Sequence, residues 1–329
     1  MIVKSVKLAN FRNHQTYKLE CKDAVTLILG KNGWGKTSIL EAIYIALRGK
    51  SFRAVDNEIV KRGEEFYRIE VDFGDGEKCV VAYDGNNKTF VVGDKKYKRL
   101  PKRNKYPVVL FLPSDLNLIS NSPSARRDYF DRMLAQLDER YDNALSRYDK
   151  ALKQRNELLK SEYVSKDSIF SWNMLLSQYG TIILNARRLF VREVNLKLTE
   201  VYRSIAKTRD EIEIVYSNDD EISEEHYLKK LEQDFERDRI IGHTSFGPHR
   251  DDFVFLFNGE EANGSASRGE TRSMILAMKF IEAAEISARL MKNPIILLDD
   301  VFSELDEVRR KCLVENFKDH QVIITSVEA

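Results

Sequence analysis

A glycine-rich stretch that begins at Gly30 combines the residue types that hold a chain of phosphates. It reads Gly-Lys-Asn-Gly-Trp-Gly-Lys-Thr, with Gly35, Lys36 and Thr37 at its end. Glycines let backbone N–H groups turn toward phosphate oxygens, the lysine reaches the outer phosphates, and the hydroxyl ligates Mg²⁺. An apolar stretch ends at the loop, and helical apolar spacing follows it over 36–48. The pattern therefore predicts a site for ATP and Mg²⁺, the alternative being a glycine-rich turn with a chance lysine.

Nine consecutive positions of this stretch are predicted to contact the nucleotide. They are Gly30, Lys31, Asn32, Gly33, Trp34, Gly35, Lys36, Thr37 and Ser38.

Two adjacent acids can complete such a site. Asp299 and Asp300 follow the apolar run 295–298. We expect Asp299 to hold Mg²⁺ together with Thr37, and Asp300 to orient or deprotonate the attacking water, with Lys36 as the second catalytic group. The alternative is a strand that ends in a polar turn.

A serine and a glycine at a helix start, in the run 267–272, indicate a second anion site. Because one nucleotide does not need two such sites, we expect the second to serve the nucleotide of a partner subunit. The Ser-Glu-Leu-Asp run 303–306 follows the acids. The order of these features along the chain resembles that of the ABC-type head domains: phosphate loop, long insertion, serine–glycine run, acid pair and the run 303–306. This resemblance implies two heads that close over two ATP molecules. Read alone, the serine–glycine run also fits a helix cap. The residues expected to act in trans are Ser267, Gly269, Glu270 and Asp306.

Alternating apolar strands and helices must position these residues, which predicts an α/β fold with a P-loop ATPase head, a mixed sheet core and an inserted helical lobe. A strand pair is expected within 1–20, and a β meander within about 66–100. Further strands are predicted at 25–30, 108–112, 211–216, 253–257, 294–301 and 321–325, and helices at 124–160, 168–207, 269–290 and 307–317. The ATPase lobe is expected to comprise 1–112 and 240–329, with the helical lobe at 113–239.

Composition limits the class of protein. The chain has 329 residues and a formal net charge of +1, so any nucleic-acid surface must be local. No stretch approaches the length of a membrane helix. The cysteines Cys21, Cys79 and Cys312 follow no metal-binding spacing and are typical of reduced thiols. We therefore expect a cytoplasmic protein without a membrane partner.

Within the ABC class, the chain resembles the RecF family of SMC-like ATPases. The Pro-Ser-x-Arg-Arg and Gly-Pro-His-Arg-Asp-Asp pieces are specific to that family. Matching segments are 8–13, 30–37, 40–43, 111–116, 122–128, 247–252, 267–272 and 298–306.

This resemblance implies a homodimer formed on ATP that binds double-stranded DNA at gaps or single-strand/double-strand junctions. It also implies work with RecR and RecO to load RecA, in recombinational repair, replication-fork maintenance and the SOS response. By the same resemblance, Arg12 and Asn13 would lie near the nucleotide. Asp300 stands where transporter heads have a longer glutamate, which predicts slow ATP hydrolysis that acts as a switch. We also expect duplex DNA to stimulate this weak hydrolysis. The alternatives are an SMC-like or transport ATPase head of another complex, or a nuclease.

Two further features concern DNA and the family pattern. A basic run is interleaved with tyrosine, and its cations are candidates for phosphate contacts, the alternative being a solvated loop. They are Lys95, Lys96, Lys98, Arg99, Lys102, Arg103 and Lys105. Secondary candidates, for which a charged helix face is the alternative, are Arg126, Arg127, Arg187, Arg188 and Arg192. Trp34 is bulkier than the family pattern, and Arg268 replaces a frequent glutamine.

Overall fold

The structure is a computed structural model that describes residues 1–74 and 76–327. Asp75, which falls within the predicted β meander, and the last two residues lie outside that range. The strands are β1 (Val3–Phe11), β2 (His14–Glu20), β3 (Val25–Leu29), β4 (Tyr67–Phe73), β5 (Lys78–Tyr83), β6 (Lys88–Val92), β7 (Lys95–Tyr97), β8 (Val108–Phe111), β9 (Ile212–Tyr216), β10 (Phe253–Phe257), β11 (Glu260–Glu261), β12 (Ile295–Asp299) and β13 (Val322–Ser326).

The described residues also form ten α-helices. They are α1 (Lys36–Arg48), α2 (Asp56–Ile59), α3 (Pro123–Leu137), α4 (Glu139–Leu159), α5 (Lys166–Ala206), α6 (Glu224–Gln233), α7 (Phe235–Ile241), α8 (Ala262–Ser265), α9 (Arg268–Leu290) and α10 (Glu307–Asn316). None of the described helices is long and apolar enough to span a membrane.

The chain divides into two compact units, one of residues 1–116 and 282–329 and the other of residues 117–281. The first boundary lies close to the expected one at 112. The second differs from the expected boundary at 240, because β10 pairs with β9 and both belong to the second unit.

The first unit contains two sheets. A six-stranded antiparallel sheet has the order β2-β1-β4-β5-β6-β7, and a four-stranded sheet has the order β3-β13-β12-β8 with parallel pairing throughout. Helix α1 contacts strands of both sheets. Nearly all of its residues are buried, because a helix packed between two layers has no solvent face. The predicted strand pair, meander and strand–loop–helix order are confirmed.

Helices dominate the second unit, where a three-stranded antiparallel sheet has the order β11-β10-β9. The prediction of one helix over 124–160 is wrong, since α3 and α4 are separate. Asp138 has an extended backbone, and its side chain accepts a hydrogen bond from the N–H of Arg140, which caps α4. An aspartate favours such a cap over a helix interior. The predicted break before α5 is confirmed.

Ionised side chains lie inside the second unit. Arg187 is 2% exposed, donates to both carboxylate oxygens of Asp131 at 2.8 Å, and donates to the carbonyl of Pro248 at 2.7 Å. Arg188 is also buried, and Arg126 pairs with Asp252. A charged residue inside a protein is normally paired in this way. The prediction that Arg187 and Arg188 contact DNA is therefore wrong. The alternative of a charged helix face does not describe Arg187 and Arg126 either, because their partners lie on other elements.

The Gly-Pro-His-Arg-Asp-Asp segment, residues 247–252, passes between buried tyrosines. The Nδ1 atom of His249 accepts from the hydroxyl of Tyr148 at 2.8 Å, and its Nε2 atom donates to the carbonyl of Thr244 at 3.0 Å. Burial lowers the pKa of His249 to about 4, so the ring is neutral at neutral pH. These contacts assign His249 a packing role.

Candidate nucleotide site

The predicted phosphate loop connects β3 to α1 and faces a pocket of about 450 Å³. Gly33 and Gly35 have φ values of 84° and 85°, in the left-handed region that favours glycine. A Cβ atom at Gly35 would collide with the ring of His14, so a side chain there is also excluded by packing. The pocket is lined by Arg12, Asn13, Asn32, Gly33, Gly35, Lys36, Thr37, Ser38, Arg53, Ala54, Glu58 and Asp300.

Most of the predicted loop residues line this pocket, but three do not. The carbonyls of Gly30 and Lys31 accept hydrogen bonds from Lys36 Nζ at 2.9 and 3.4 Å. Trp34 is 68% exposed, and a Cβ atom at Gly30 would lie 3.5 Å from its ring. These three residues therefore shape the loop and hold its lysine.

Asp299 is the last residue of β12, and Asp300 follows it directly. The hydroxyl of Thr37 donates to the two carboxylate oxygens of Asp299 at 2.8 and 2.9 Å. Burial raises the pKa of Asp299, and the neighbouring Asp300 raises it further, which Thr37 and Thr325 oppose by hydrogen bonding. A carboxylate and a hydroxyl in direct contact are oxygen donors of the kind that Mg²⁺ takes, so the donor set fits the ion.

Asp300 occupies an unusual backbone conformation. Its φ is 49°, and its N–H donates to the hydroxyl of Thr325 at 2.9 Å. One carboxylate oxygen lies 3.5 Å from Lys36 Nζ, and the other is shielded from solvent with no hydrogen-bond partner within residues 1–74 and 76–327. A left-handed aspartate persists where its surroundings hold it, which is common at functional sites.

Several site residues were absent from the sequence-based prediction. Thr325 donates to Asp299 at 2.8 Å and accepts from Asp300, so it fixes both acids. The buried Glu41 and the pocket-lining Arg53 form an ion pair at 2.8 Å. In the sequence, the one sign of a role for Thr325 and Glu41 is that each is a polar residue within an apolar run.

The two residues assigned by resemblance, Arg12 and Asn13, both line this pocket. Arg12 lines the pocket and pairs with Glu41 at 2.8 Å. Asn13 donates to the carbonyl of Gly33 at 3.2 Å, which ties the β1–β2 turn to the phosphate loop. Within the described chain, no group of three or more His, Cys, Asp or Glu side chains is placed to hold a metal ion.

Three of the four residues predicted to act in trans belong to helix caps in the single chain. The N–H of Ser267 donates to Glu270 at 2.6 Å, and the N–H of Glu270 donates to the Ser267 hydroxyl at 3.3 Å. This reciprocal pair is a capping box for α9, in line with the helix-cap alternative. Asp306 caps α10 by accepting from the N–H of Arg309 at 2.9 Å. Gly269 lies in the first turn of α9.

The basic run occupies β7 and the segment that follows it. Lys95, Lys96, Lys98, Arg99, Lys102 and Arg103 are exposed, and Lys105 is half-buried. Because β7 is the last strand of its sheet, lysines there also protect a free edge from pairing with another chain. Both the DNA-contact interpretation and the solvated-surface alternative therefore fit these positions.

A larger cavity, of about 1120 Å³, lies at the amino ends of the parallel strands, beside Ile295 and Gln321. It contains none of the phosphate-loop or acid-pair residues. We therefore assign the nucleotide to the smaller pocket on chemical grounds, because the carboxyl ends of parallel strands are where α/β proteins bind ligands.

The fold and this pocket define an ABC-type P-loop ATPase head, and the family model described as AAA ATPase domain matches residues 1–245. Two relatives named DNA replication and repair protein RecF, from Lachnoclostridium phytofermentans and Ruminiclostridium cellulolyticum, are each 34% identical to the chain, with 99% of the chain and 92% of the relative covered. A solved structure of "the recombination mediator protein RecF-ATPrS in RecFOR pathway" is 30% identical with a TM-score of 0.88, covering 99% of this chain and 92% of that one. The chain belongs to the RecF family.

Proposed function

We propose that this protein is a DNA replication and repair ATPase that binds ATP and Mg²⁺ and acts as a recombination mediator. The observation that carries the proposal is the contact between Thr37 and Asp299, 2.8 Å apart, beside a loop of P-loop sequence and shape. It joins the two halves of a nucleotide site from distant parts of the chain. Family membership supports the DNA-repair role, since relatives carry that name.

The roles of the residues follow from their positions. Backbone N–H groups of the loop and Lys36 bind the phosphates, and Thr37 and Asp299 hold Mg²⁺, which supplies positive charge to the triphosphate. Asp300 orients the attacking water. Its side chain is one methylene shorter than glutamate, so water is held less well and hydrolysis is slow.

ATP acts as the connection between two copies of the chain. Each copy contributes its phosphate loop to one nucleotide and Ser267, Gly269, Glu270 and Asp306 to the nucleotide of the other. The dimer binds double-stranded DNA at gaps and junctions, works with RecR and RecO to load RecA, and dissociates after hydrolysis. Binding depends on the DNA backbone and shape, because phosphate contacts carry no sequence information.

The replacement of Lys36 by arginine tests the proposed ATP-dependent dimer. Lys36 Nζ is buried and hydrogen-bonded to two loop carbonyls, and a planar guanidinium cannot keep that geometry. We expect ATP-dependent dimer formation and duplex DNA retention to fall together, each at least tenfold, in sedimentation and filter-binding measurements. Dimers and DNA complexes that form normally with ATP in this variant would contradict the proposal that ATP joins two copies of the chain on DNA. Failure of duplex DNA to raise wild-type ATP turnover, together with no retention at low salt, would favour another class of ATPase head.

The basic run gives a second test. Simultaneous replacement of Lys95, Lys98 and Arg99 by glutamine should weaken DNA binding about tenfold. The slope of log affinity against log salt concentration should also fall by the equivalent of about three phosphate contacts, because each neutralised phosphate releases counterions. A variant with Lys150, Lys153 and Lys229 replaced by glutamine is the matched control, since it removes the same charge from the second unit. Equal salt slopes in both variants would remove the run from the DNA surface.

A further inference from the structure

The parallel sheet of the first unit has a free edge at β3. In the order β3-β13-β12-β8, β3 pairs with β13 and with no other strand in the described part of the chain. Parallel pairing uses alternate residues of a strand, and the bonds to β13 begin at the carbonyl of Ala24 and end at the N–H of Gly30. The odd-numbered residues between them therefore direct their N–H and C=O groups toward the open side of the sheet. They are Val25, Leu27 and Leu29.

The same three residues expose their side chains. Val25, Leu27 and Leu29 are 46%, 53% and 52% exposed, whereas the alternate residues Thr26 and Ile28 are buried. A strand edge with unpaired backbone groups is a template for a further strand. Exposed aliphatic side chains add a hydrophobic gain when that strand arrives. The edge of β3 is therefore suited to strand addition.

Among the described strands, the other sheet edges are protected against such addition. The edge strands β2, β7, β9 and β11 each carry charged residues at exposed positions, and the residues of β8 are all buried. Charged side chains on an edge oppose pairing with another chain. β3 has no charged residue and no proline, and its exposed residues are aliphatic throughout.

The residues in and around β3 match a second copy of the same strand. In an antiparallel pair with its two-fold axis at Leu27, Val25 of each copy lies opposite Leu29 of the other. The same register places Asp23 opposite Lys31 on both sides of the axis, and both of these charged side chains are exposed. Opposite charges that face each other across two strands stabilise the pair. No other antiparallel register joins all the aliphatic residues and both charge pairs.

This surface is separate from the nucleotide site. None of the five residues lines the nucleotide pocket, although Lys31 belongs to the predicted loop. Asp23 binds Lys4 through one carboxylate oxygen in an exposed ion pair, and its other oxygen has no partner in the described chain. An exposed ion pair is weak, so it does not prevent a contact with Lys31 of a second copy.

We propose that two copies of this chain pair through β3, antiparallel about Leu27, without nucleotide. The pairing joins two four-stranded sheets into one continuous sheet, with the two phosphate loops at its opposite ends. A strand of five residues buries little area, so the pair is weak and forms at high protein concentration. It is distinct from the ATP-dependent dimer proposed above, whose residues lie elsewhere in the chain.

Sedimentation equilibrium without nucleotide tests the proposal. The wild-type chain should form dimers as its concentration rises. Leu27→Glu should raise the dimer dissociation constant at least tenfold, because two like charges then face each other on the axis. The melting temperature of the single chain should change little, because Leu27 is half-exposed. Val314→Glu is the matched control, since Val314 is 54% exposed on α10 of the same unit, and it should pair like the wild type.

Exchange of the two charges tests the register. Asp23→Lys and Lys31→Asp should each weaken pairing about threefold, since each places like charges opposite one another twice in the pair. The variant that combines both changes should pair like the wild type. A combined variant that pairs more weakly than either single variant would contradict the register.

Disulfide formation gives a second measurement, which does not depend on the folding of Leu27→Glu. Opposite residues of a hydrogen-bonded antiparallel pair have Cα atoms about 5.5 Å apart, within the range of a disulfide. Under mild oxidation, Leu27→Cys should form covalent dimers, and Val25→Cys should link to Leu29→Cys but not to itself. Val314→Cys should link no more than the wild type, which keeps the three native cysteines.

Three results would overturn the inference. The first is a wild-type chain that stays monomeric without nucleotide at every concentration. The second is equal pairing of Leu27→Glu and Val314→Glu, and the third is a Val25→Cys chain that links to itself as readily as to Leu29→Cys.

Discussion

Replacement of Ser267 by arginine is expected to abolish ATP-dependent pairing of the chain, while a single chain keeps its ATP affinity within about twofold. Ser267 is exposed at the start of α9, where its hydroxyl caps the helix. In the proposed dimer, an arginine side chain fills the space of the partner's nucleotide, and loss of the cap costs about 1 kcal/mol in addition. All residues lining the nucleotide pocket belong to the first unit, whereas Ser267 belongs to the second. Sedimentation velocity and fluorescent-nucleotide binding, measured with ATP and Mg²⁺, separate the two effects.

Ser265→Arg is the matched control for that experiment. Ser265 is also exposed and lies two positions earlier, outside α9. The substitution adds the same charge and bulk without touching the cap, and pairing should persist. If Ser267→Arg pairs as readily as Ser265→Arg, the trans role of this serine is wrong. A wild-type chain that stays monomeric at saturating ATP with DNA present would remove the dimer altogether.

Replacement of Gly247 by alanine should destabilise the second unit by about 4 kcal/mol or more, which is exceptional for one methyl group. Gly247 has a φ of 129°, a conformation that a residue with a Cβ atom rarely adopts. A Cβ atom there would overlap the hydroxyl oxygens of Tyr227 and Tyr148. Those hydroxyls lie 3.1 Å apart in the core, and Tyr148 also binds His249, so neither ring can move without breaking a buried network.

Gly242→Ala provides the comparison. Gly242 also has a positive φ, 72°, but the nearest atom to an added Cβ would be Lys160 Cγ at 3.7 Å. Only the backbone conformation is penalised there, so about 1 kcal/mol is expected. Urea unfolding monitored by tyrosine fluorescence measures both variants. Similar losses at the two glycines would show that the tyrosine contacts contribute nothing at Gly247.

The phosphate loop and the acid pair were predictable because their chemistry is contained in short runs of sequence. Gly30–Thr37 specifies its own backbone shape, and an apolar run that ends in Asp299 and Asp300 indicates a strand whose carboxyl end carries the acids. The parallel pairing of β12 and β13 then follows from the alternation of strands and helices.

The ion pairs of Glu41 with Arg12 and Arg53 were not predictable, because these residues come from separate segments and meet only in the folded chain. Thr325 was missed because one threonine in a buried apolar strand is a weak local signal, and its contacts with Asp299 and Asp300 form only in the folded chain. The break at Asp138 was missed because charged residues occur throughout 124–160. Arg187 was assigned to the surface on charge alone, whereas its partners Asp131 and Pro248 lie far away in sequence.

The position of α1 between two sheets links occupancy of the pocket to the lifetime of the protein. The helix that begins with Lys36 and Thr37 is also the centre of the first unit's interior. Unfolding of that interior therefore destroys the pocket, and a ligand present at a hundred times its dissociation constant adds about 2.7 kcal/mol to the free energy of unfolding. The nucleotide concentration would thus govern how often this unit unfolds and becomes accessible to proteases and chaperones. A low ATP concentration would shorten the half-life of the protein as well as stop its activity.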